Sequence, residues 1–332
     1  MLILGANLIS SAGVSAKKSE FSLLFDGDDQ YIKTGGDSST KPVNAVTVSA
    51  WVNMDTADGG YGWPNPDGNN DHMQVIVGCI ASGGYALGIQ YGGTANNPLT
   101  YVFANANVDD NGTGLAGKYF TNTFYNRHSP YEQKADSTAA DLNASSDATA
   151  DGPAVGAAGC TWGGYTSSVG GYTLHNIRNL TGWNHLAMTY DGTNGIMKLY
   201  INGSLKRIAD TEVGSEGTPN EMNYHSNSAM EVMIGADVGS VPSGGADFMD
   251  GLIDDVAIWD AAIDADGIAE IYNNGAAGTN LTSAVGDYDN QDDLQGWWKI
   301  EEGTGTSVAD SSSNSNTGTL VNTPTWSTNT AG

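Results

Sequence analysis

The chain is poor in positive charge, in cysteine and in long apolar runs, and each shortage removes a class of function. Lysine and arginine total 12 against 38 aspartates and glutamates, a formal net charge of −26 over 332 residues. Nucleic-acid backbones are held by clusters of cations that displace counterions, so this balance excludes a nucleic-acid partner. Anionic membrane surfaces are disfavoured for the same reason. Two cysteines, Cys79 and Cys160, cannot build a disulfide framework and lack the paired spacing of a thiolate metal site. Cys79, inside Val75-Ile76-Val77-Gly78-Cys79-Ile80, reads as an inert core thiol. No apolar stretch reaches the 18 residues or so that a spanning helix needs, so membrane insertion is not expected. The opening run Leu2–Ile9 is apolar but short and has no basic residue before it, unlike a secretory leader, and residues 1–20 read as an N-terminal arm.

What is present belongs to a folded, loop-rich β protein. Charged residues make up only 15% of the chain, while 8 Trp, 15 Tyr and 6 Phe supply a core that a disordered chain would lack. The 45 glycines suit many turns that need positive φ. Apolar residues recur in short runs rich in β-branched and aromatic types, which favours strands. The net charges lie on average about 20 Å apart on a folded surface of this mass, beyond the ~8 Å Debye length, so self-repulsion does not bar assembly.

Four stretches carry the pattern. Phe21-Ser22-Leu23-Leu24-Phe25-Asp26-Gly27-Asp28-Asp29-Gln30-Tyr31-Ile32 reads as two strands around a hairpin-type Asp-Gly turn. Ala45–Val52 alternates so that Val46, Val48, Ala50 and Val52 share a face. Gly182–Gly203 reads as two strands joined by a turn, with Asn202-Gly203 opening the next hairpin. Phe248–Trp259 is a long strand on which Asp254 is expected to share a face with Leu252, Val256 and Ile258. A helix follows over about Asp264–Tyr272, with Ile268, Ile271 and Tyr272 apolar and Gly275 as its stop.

Taken in order, F-D-G-D-D-x-Y, V-T-V-S-A-W-V, W-N-H-L-A-M-T-Y-D-G, L-Y-I-N-G and G-L-I-D-D-V-A-I-W, then a short helix ending Y-N-N-G, resemble the laminin G-like jelly rolls of the concanavalin A-like lectin/glucanase superfamily. The expected fold is all-β: a jelly-roll sandwich of two antiparallel sheets with one short helix near the end of the module. The module would span residues 21–275, with a long insertion at about 105–172. That insertion is rich in Asp, Asn, Ala, Gly, Ser and Thr and carries Tyr119-Phe120, Phe124-Tyr125, Tyr131 and Trp162; it reads either as an ordered flap toward a partner or as a mobile surface decoration. Residues 276–332 would form an extension that packs on the domain or on a neighbouring subunit, because Trp297, Trp298 and Ile300 need burial. The succession of module, helix and G-W-W segment is similar to structural proteins of marine tailed phages.

The search for chemistry is mostly negative. Retaining glycosidases of this superfold carry an E-x-D-x-E run, whose carboxylates must lie about 5 Å apart on one strand face. The glutamates here offer none, so the expectation is not an enzyme, with a glycoside hydrolase the weakest alternative. Gly112–Lys118 fits G-x-x-x-x-G-K, but Tyr119 stands where a Ser or Thr would hold Mg²⁺. His185 reads as a packed residue, and His72, His128, His175 and His225 show no ligand spacing. Asn-x-Ser/Thr sequons at Asn111, Asn143, Asn179, Asn202 and Asn280 read as chance in a chain of this composition.

The resemblance implies Ca²⁺ at the sandwich rim. If the first and last long strands pair, Asp26 and Asp28 approach Asp254 and Asp255, a set of hard oxygen ligands. The alternative reading of the same aspartates is Asx turns and rim hydrogen bonds with no metal. A second acidic loop, Asp55–Asp71, offers Trp63, Asp67 and His72 as a ligand-binding set that would hold an ion or stack a sugar on Trp63; the alternative reading is a solvated loop with no ligand. The functional expectation is a non-enzymatic virion structural protein, an exterior capsid decoration or fibre subunit at the virion's outer surface. Its expected partners are other virion proteins or itself as a homo-oligomer, together with cell-surface glycans. The alternative is an extracellular carbohydrate-binding lectin or adhesin.

Overall fold

The computed structural model describes residues 19–35, 38–54, 72–79, 84–94, 97–108, 118–122, 132–134, 182–194, 196–210, 221–222, 224, 231–238, 245–273, 275–276 and 278–331. In chain order the elements are β1 (Ser22–Asp26), β2 (Tyr31–Lys33), β3 (Ala45–Met54), β4 (His72–Gly78), β5 (Tyr85–Thr94), β6 (Asn97–Val108), β7 (Lys118–Asn122), β8 (Glu132–Lys134), β9 (Asn184–Asp191), β10 (Ile196–Ile201), β11 (Ser204–Asp210), β12 (Met233–Ile234), β13 (Asp237–Val238), β14 (Gly245–Ala246), β15 (Asp250–Trp259), α1 (Ala265–Asn273), β16 (Leu294–Trp298), β17 (Ser307–Val308), β18 (Gly318–Val321) and β19 (Thr325–Ser327). Two antiparallel sheets carry the fold. One runs β19-β1-β15-β3-β9-β10-β11-β8, with β16 also on β15; the other runs β17-β18-β2-β12-β4-β5-β6-β7.

The alternation in β3 works as its sequence implies. Val46, Val48, Ala50 and Val52 face the other sheet and pack with Ile76, Leu87, Met188, Ile253 and Ile258 in the inter-sheet core. A second core lies on the outer face of the first sheet, where Ala187, Tyr200, Ala257 and Trp259 meet Ile268 and Ile271 of α1 and Leu281, Tyr288 and Trp297 beyond it. The β3–β9–β15 layer is therefore buried on both faces, with polar residues such as Thr47, Ser49 and Thr189 among the buried ones.

Local chemistry sets the boundaries of α1. The Asp264 carboxylate accepts the Gly267 N–H at 2.8 Å, an N-cap that supplies one partner for the helix's unpaired donors. Gly275, at φ 75°, ends it, its N–H donating to the Tyr272 carbonyl. The Asn202-Gly203 turn forms as its sequence implies, at φ 51° and 71°, and joins β10 to β11.

The Asp26-Gly27 turn does not close a hairpin. β1 belongs to the first sheet and β2 to the second, so the chain crosses the sandwich at this corner, and Gly27 N–H donates to the Met249 carbonyl at 3.0 Å. The turn residues specify a reversal of direction; which strands it joins is decided by β1 pairing with β15 and β19.

The C-terminal segment from β16 onward is woven into both sheets. β16 pairs with β15, β19 with β1, and β18 with β2. Trp297 and Trp298 are fully buried, each removing apolar surface worth about 4–6 kcal/mol before the entropy of ordering is charged. Asp310 organises the connection that follows them. Its carboxylate accepts N–H bonds from Trp297, Ser312 and Asn316, each at 2.8 Å, and the Ser312 hydroxyl.

Within the predicted insertion, β7 pairs with β6 and β8 with β11, so short pieces of it extend an edge of each sheet. The remainder of 105–172, including Trp162 and the proposed flap, lies outside the described residues, as do residues 1–18.

Candidate functional site

The register of β1 against β15 decides which predicted acids meet. Leu23 lies opposite Ile253, Phe25 opposite Gly251, and Asp26 opposite Asp250. Asp254 falls opposite Ser22, four residues from Asp26 along the ladder, which is about 13 Å at a strand's rise per residue. The four aspartates expected to share a calcium ion therefore divide into two pairs at different places. Among the described residues no group of three His, Cys, Asp or Glu side chains is placed to hold a metal ion.

The first place is a rim of the sandwich. Asp26 Oδ1 accepts the N–H of Asp28 at 3.0 Å in an Asx turn, and Asp250 N–H donates to Oε1 of the buried Gln74 at 3.1 Å. The surrounding turns are tied by backbone bonds: Met249 N–H to the Gly235 carbonyl, Gly235 N–H to Ile76, and Val75 N–H to Asp247, all between 2.8 and 2.9 Å. Gly235 needs its glycine, because at φ 84° a Cβ would lie 2.8 Å from the Phe25 ring. Met54 pairs with Gly251 at this same end. The acidic loop 55–71 thus leaves β3 beside Asp26 and Asp250, and returns at His72, where β4 starts. Trp63 and Asp67 lie outside the described residues; His72 is placed in the β4 ladder opposite Tyr91. Topology brings together the roots of both predicted rim features, Asp26/Asp28 and loop 55–71, which the sequence presents as separate.

The second place is a seam in the first sheet. On one edge of β15, β1 covers residues up to Ile253 and β16 covers Val256 onward, and Asp254 and Asp255 occupy the gap. On the other edge the ladder with β3 slips between Asp254 and Ala257, a bulge with Asp255 at φ 46°. This overturns the face expected for Asp254. The extra residue resets the alternation, so Ile253, Val256 and Ile258 line the inter-sheet core, while Asp254 points to the outer side with Leu252. Asp255 Oδ1 accepts the Trp297 indole N–H, and Asp254 Oδ2 accepts the Ala331 N–H at 3.4 Å. Both aspartates serve partners within the fold. Asp254 is completely buried and its Oδ1 has no hydrogen-bond partner. Burial, then the neighbouring Asp255 carboxylate, with a smaller push from Glu301, raise its pKa to about 8, against opposing hydrogen bonds from Ser19 and Ala331.

His185 is a packed residue, as its motif implies. Its ring packs against Trp51, at 5.3 Å, and Tyr272 of α1, at 6.1 Å, in a three-ring cluster whose Trp51 and Tyr272 are themselves stacked at 5.6 Å. Both ring nitrogens are buried without partners, and burial lowers its pKa to about 3. It is held through its backbone: its N–H donates to Asn202 Oδ1 at 2.9 Å and its carbonyl accepts the Asn202 N–H. Cys79 is buried and free, its thiol pushed up to about 12 by desolvation, so it stays protonated at neutral pH.

Among solved structures, the chain is similar to a candidate carbohydrate-binding protein of Bacteroides ovatus (16% identity, TM-score 0.49, covering 94% of this chain and 60% of that one). It is also similar to a heptameric SAP-like pentraxin of Limulus polyphemus (12%, 0.38, covering 77% and 83%) and to the CBM40 of a Ruminococcus gnavus sialidase bound to sialyllactose (13%, 0.37, covering 78% and 99%). No curated protein matches. Residues 133–269, less than half of the chain, match the Laminin_G_3 family model, described as the concanavalin A-like lectin/glucanases superfamily, and over that span the chain is similar to this family.

Proposed function

We propose that the protein is a non-enzymatic recognition and structural module: a concanavalin A-like sandwich that binds carbohydrate at the rim formed by Asp26, Asp250 and the roots of loop 55–71. The observation that carries this reading is the convergence at that rim. Asp26, held in an Asx turn, and Asp250, tied through its backbone N–H to Gln74, stand where β3 ends and the segment 55–71 that bears Trp63 begins, and a sugar site needs hydrogen-bonding groups together with an aromatic platform. The family match over residues 133–269 agrees with it.

The non-enzymatic part rests on the carboxylates. Asp254 and Asp255 are adjacent, but both are buried in the β15 seam and engaged by Trp297 and Ala331, with no room for a glycosidic bond between them. We place this module on the exterior of a virion, as a capsid decoration or fibre subunit in contact with other virion proteins. What supports this is the succession of jelly roll, helix and G-W-W segment, together with an acidic surface that keeps an exposed particle soluble. A glycan array probed with the full chain, with release of reducing ends assayed on every glycan bound, tests the first part. Binding without hydrolysis is expected, and absence of any binding, or turnover, contradicts it. Mass spectrometry of purified particles tests the second: the chain is expected among the structural proteins, and its absence from them rules that placement out.

A further inference from the structure

We propose that the carbohydrate site at the rim continues onto the outer face of the first sheet, where Trp183 is its stacking platform and a neutral oligosaccharide its ligand. This rests on the rim reading above and extends it to a ligand class and to residues outside the rim. Alternation and register lay out the surface. Leu23, Ile253, Val52 and Leu186 point into the inter-sheet core, so Leu24, Leu252, Asn53 and Trp183 point outward. Leu24 lies opposite Leu252, and Leu252 opposite Asn53. Val52 pairs with Asn184, which puts Trp183, one residue earlier, level with Asn53. One pleat nearer the rim, Asp26 stands opposite Asp250 on the same outward face. The row begins at Leu24, 42% exposed, and reaches the half-buried Trp183. It crosses three inter-strand spacings, about 14 Å, which suits a ligand of several rings.

Trp183 is laid along this face. Its indole N–H donates to Asn329 Oδ1 at 3.1 Å, and the Asn329 carbonyl accepts the Ser22 hydroxyl at 2.7 Å. Ser22 belongs to β1, on the far side of β3 and β15 from Trp183. The indole and Asn329 must together bridge those strands, so the ring runs nearly parallel to the sheet. A flat indole whose N–H is already satisfied offers the apolar surface on which a pyranose ring stacks. Partners for sugar hydroxyls stand beside it. Asn53 lies in the row, and Asp26 spends only Oδ1 on its Asx turn. Charge then selects the class of sugar. The strands β1, β3, β9 and β15 contain no lysine or arginine. Carboxylates such as Asp26 and Asp250 accept hydroxyl groups, whereas a sialic or uronic acid brought to this face meets like charge and finds no cation on these strands.

A glycan array carrying neutral, sialylated and uronate-containing oligosaccharides tests it, followed by isothermal titration of the full chain with the tightest-bound neutral glycan and with sialyllactose. Wild type is expected to bind neutral glycans and to leave sialyllactose unbound. Trp183→Ala is expected to weaken neutral binding about tenfold or more, by loss of the stacking surface. Leu24→Glu, at an exposed position, adds a carboxylate to the row and is expected to weaken binding about as much while melting as the wild type does. This second variant decides the matter even if Trp183→Ala does not fold. Binding confined to sialylated or uronate-containing glycans overturns this inference and leaves carbohydrate recognition standing. Neutral binding that Trp63→Ala weakens, but that Leu24→Glu or folded Trp183→Ala leaves intact, also overturns this inference alone. Absence of binding to every glycan overturns it together with the rim reading.

Discussion

Trp297 donates its indole N–H to Oδ1 of Asp255, a residue whose backbone sits in the left-handed region at φ 46°. The pair joins the β15 bulge to β16, so the C-terminal segment is anchored at the point where the long central strand changes face. Trp297→Phe keeps most of the ring and removes the donor, leaving a buried carboxylate short of a partner. The expected cost is about 2 kcal/mol, in the range for a hydrogen bond to a charged group, read as a lower midpoint in urea unfolding. An unchanged midpoint would show that the bond holds nothing.

Asp310 is the second anchor of that segment. Asp310→Ala strips the acceptor from the Trp297, Ser312 and Asn316 N–H groups together. A loss of about 3 kcal/mol is expected, since several donors are orphaned by one substitution. Asp310→Asn, which keeps one acceptor oxygen, is expected to fall between the two in thermal melts.

His185 predicts how the fold responds to acid. Neutral in the folded state down to about pH 3, it gains a proton below its ordinary value of 6.5 only when the chain unfolds. The unfolded state then binds more protons, so stability falls as pH drops from about 6.5 toward 3. His185→Phe keeps an aromatic ring against Trp51 and Tyr272 and sacrifices no side-chain hydrogen bond. At pH 5 it is expected to gain about 2 kcal/mol relative to its effect at pH 7, at roughly 1.4 kcal/mol per unit of pH. Parallel curves of stability against pH for the two proteins would contradict the buried, neutral assignment.

The burial of Asp254 carries the opposite sign. Between about pH 4 and pH 8 the unfolded chain gives up a proton that the folded chain keeps, so this group erodes stability as pH rises through that range. Asp254→Asn is expected to raise the melting temperature at pH 8 and to have a smaller effect at pH 5. Differential scanning calorimetry at the two pH values checks it.

Much of this fold is legible in short-range pattern. The period-2 alternation of Val46, Val48, Ala50 and Val52, the Asn202-Gly203 turn, and the Asp264 and Gly275 boundaries of α1 all depend on residues within a few positions of one another. What the pattern does not carry is register and the bulge. One extra residue at Asp255 moves Asp254 off the Val256 face, and nothing in G-L-I-D-D-V-A-I-W separates a bulged strand from a regular one. The Asp26-Gly27 turn fails as a hairpin for a related reason, because its two strands choose partners more than two hundred residues away. The calcium set drew on a correct strand pairing, β1 with β15, and an incorrect register, which separates its members by about 13 Å.

The central claim, recognition of carbohydrate at the rim without catalysis, is tested most directly by isothermal titration of the full chain with a glycan identified on an array, comparing wild type with Trp63→Ala and Asp250→Asn. Saturable binding that weakens at least tenfold in Trp63→Ala, about 1.4 kcal/mol of binding free energy, and weakens measurably in Asp250→Asn, with both variants melting as the wild type does, is the predicted result. Binding that both variants leave intact would place the site elsewhere on the sandwich and contradict the account.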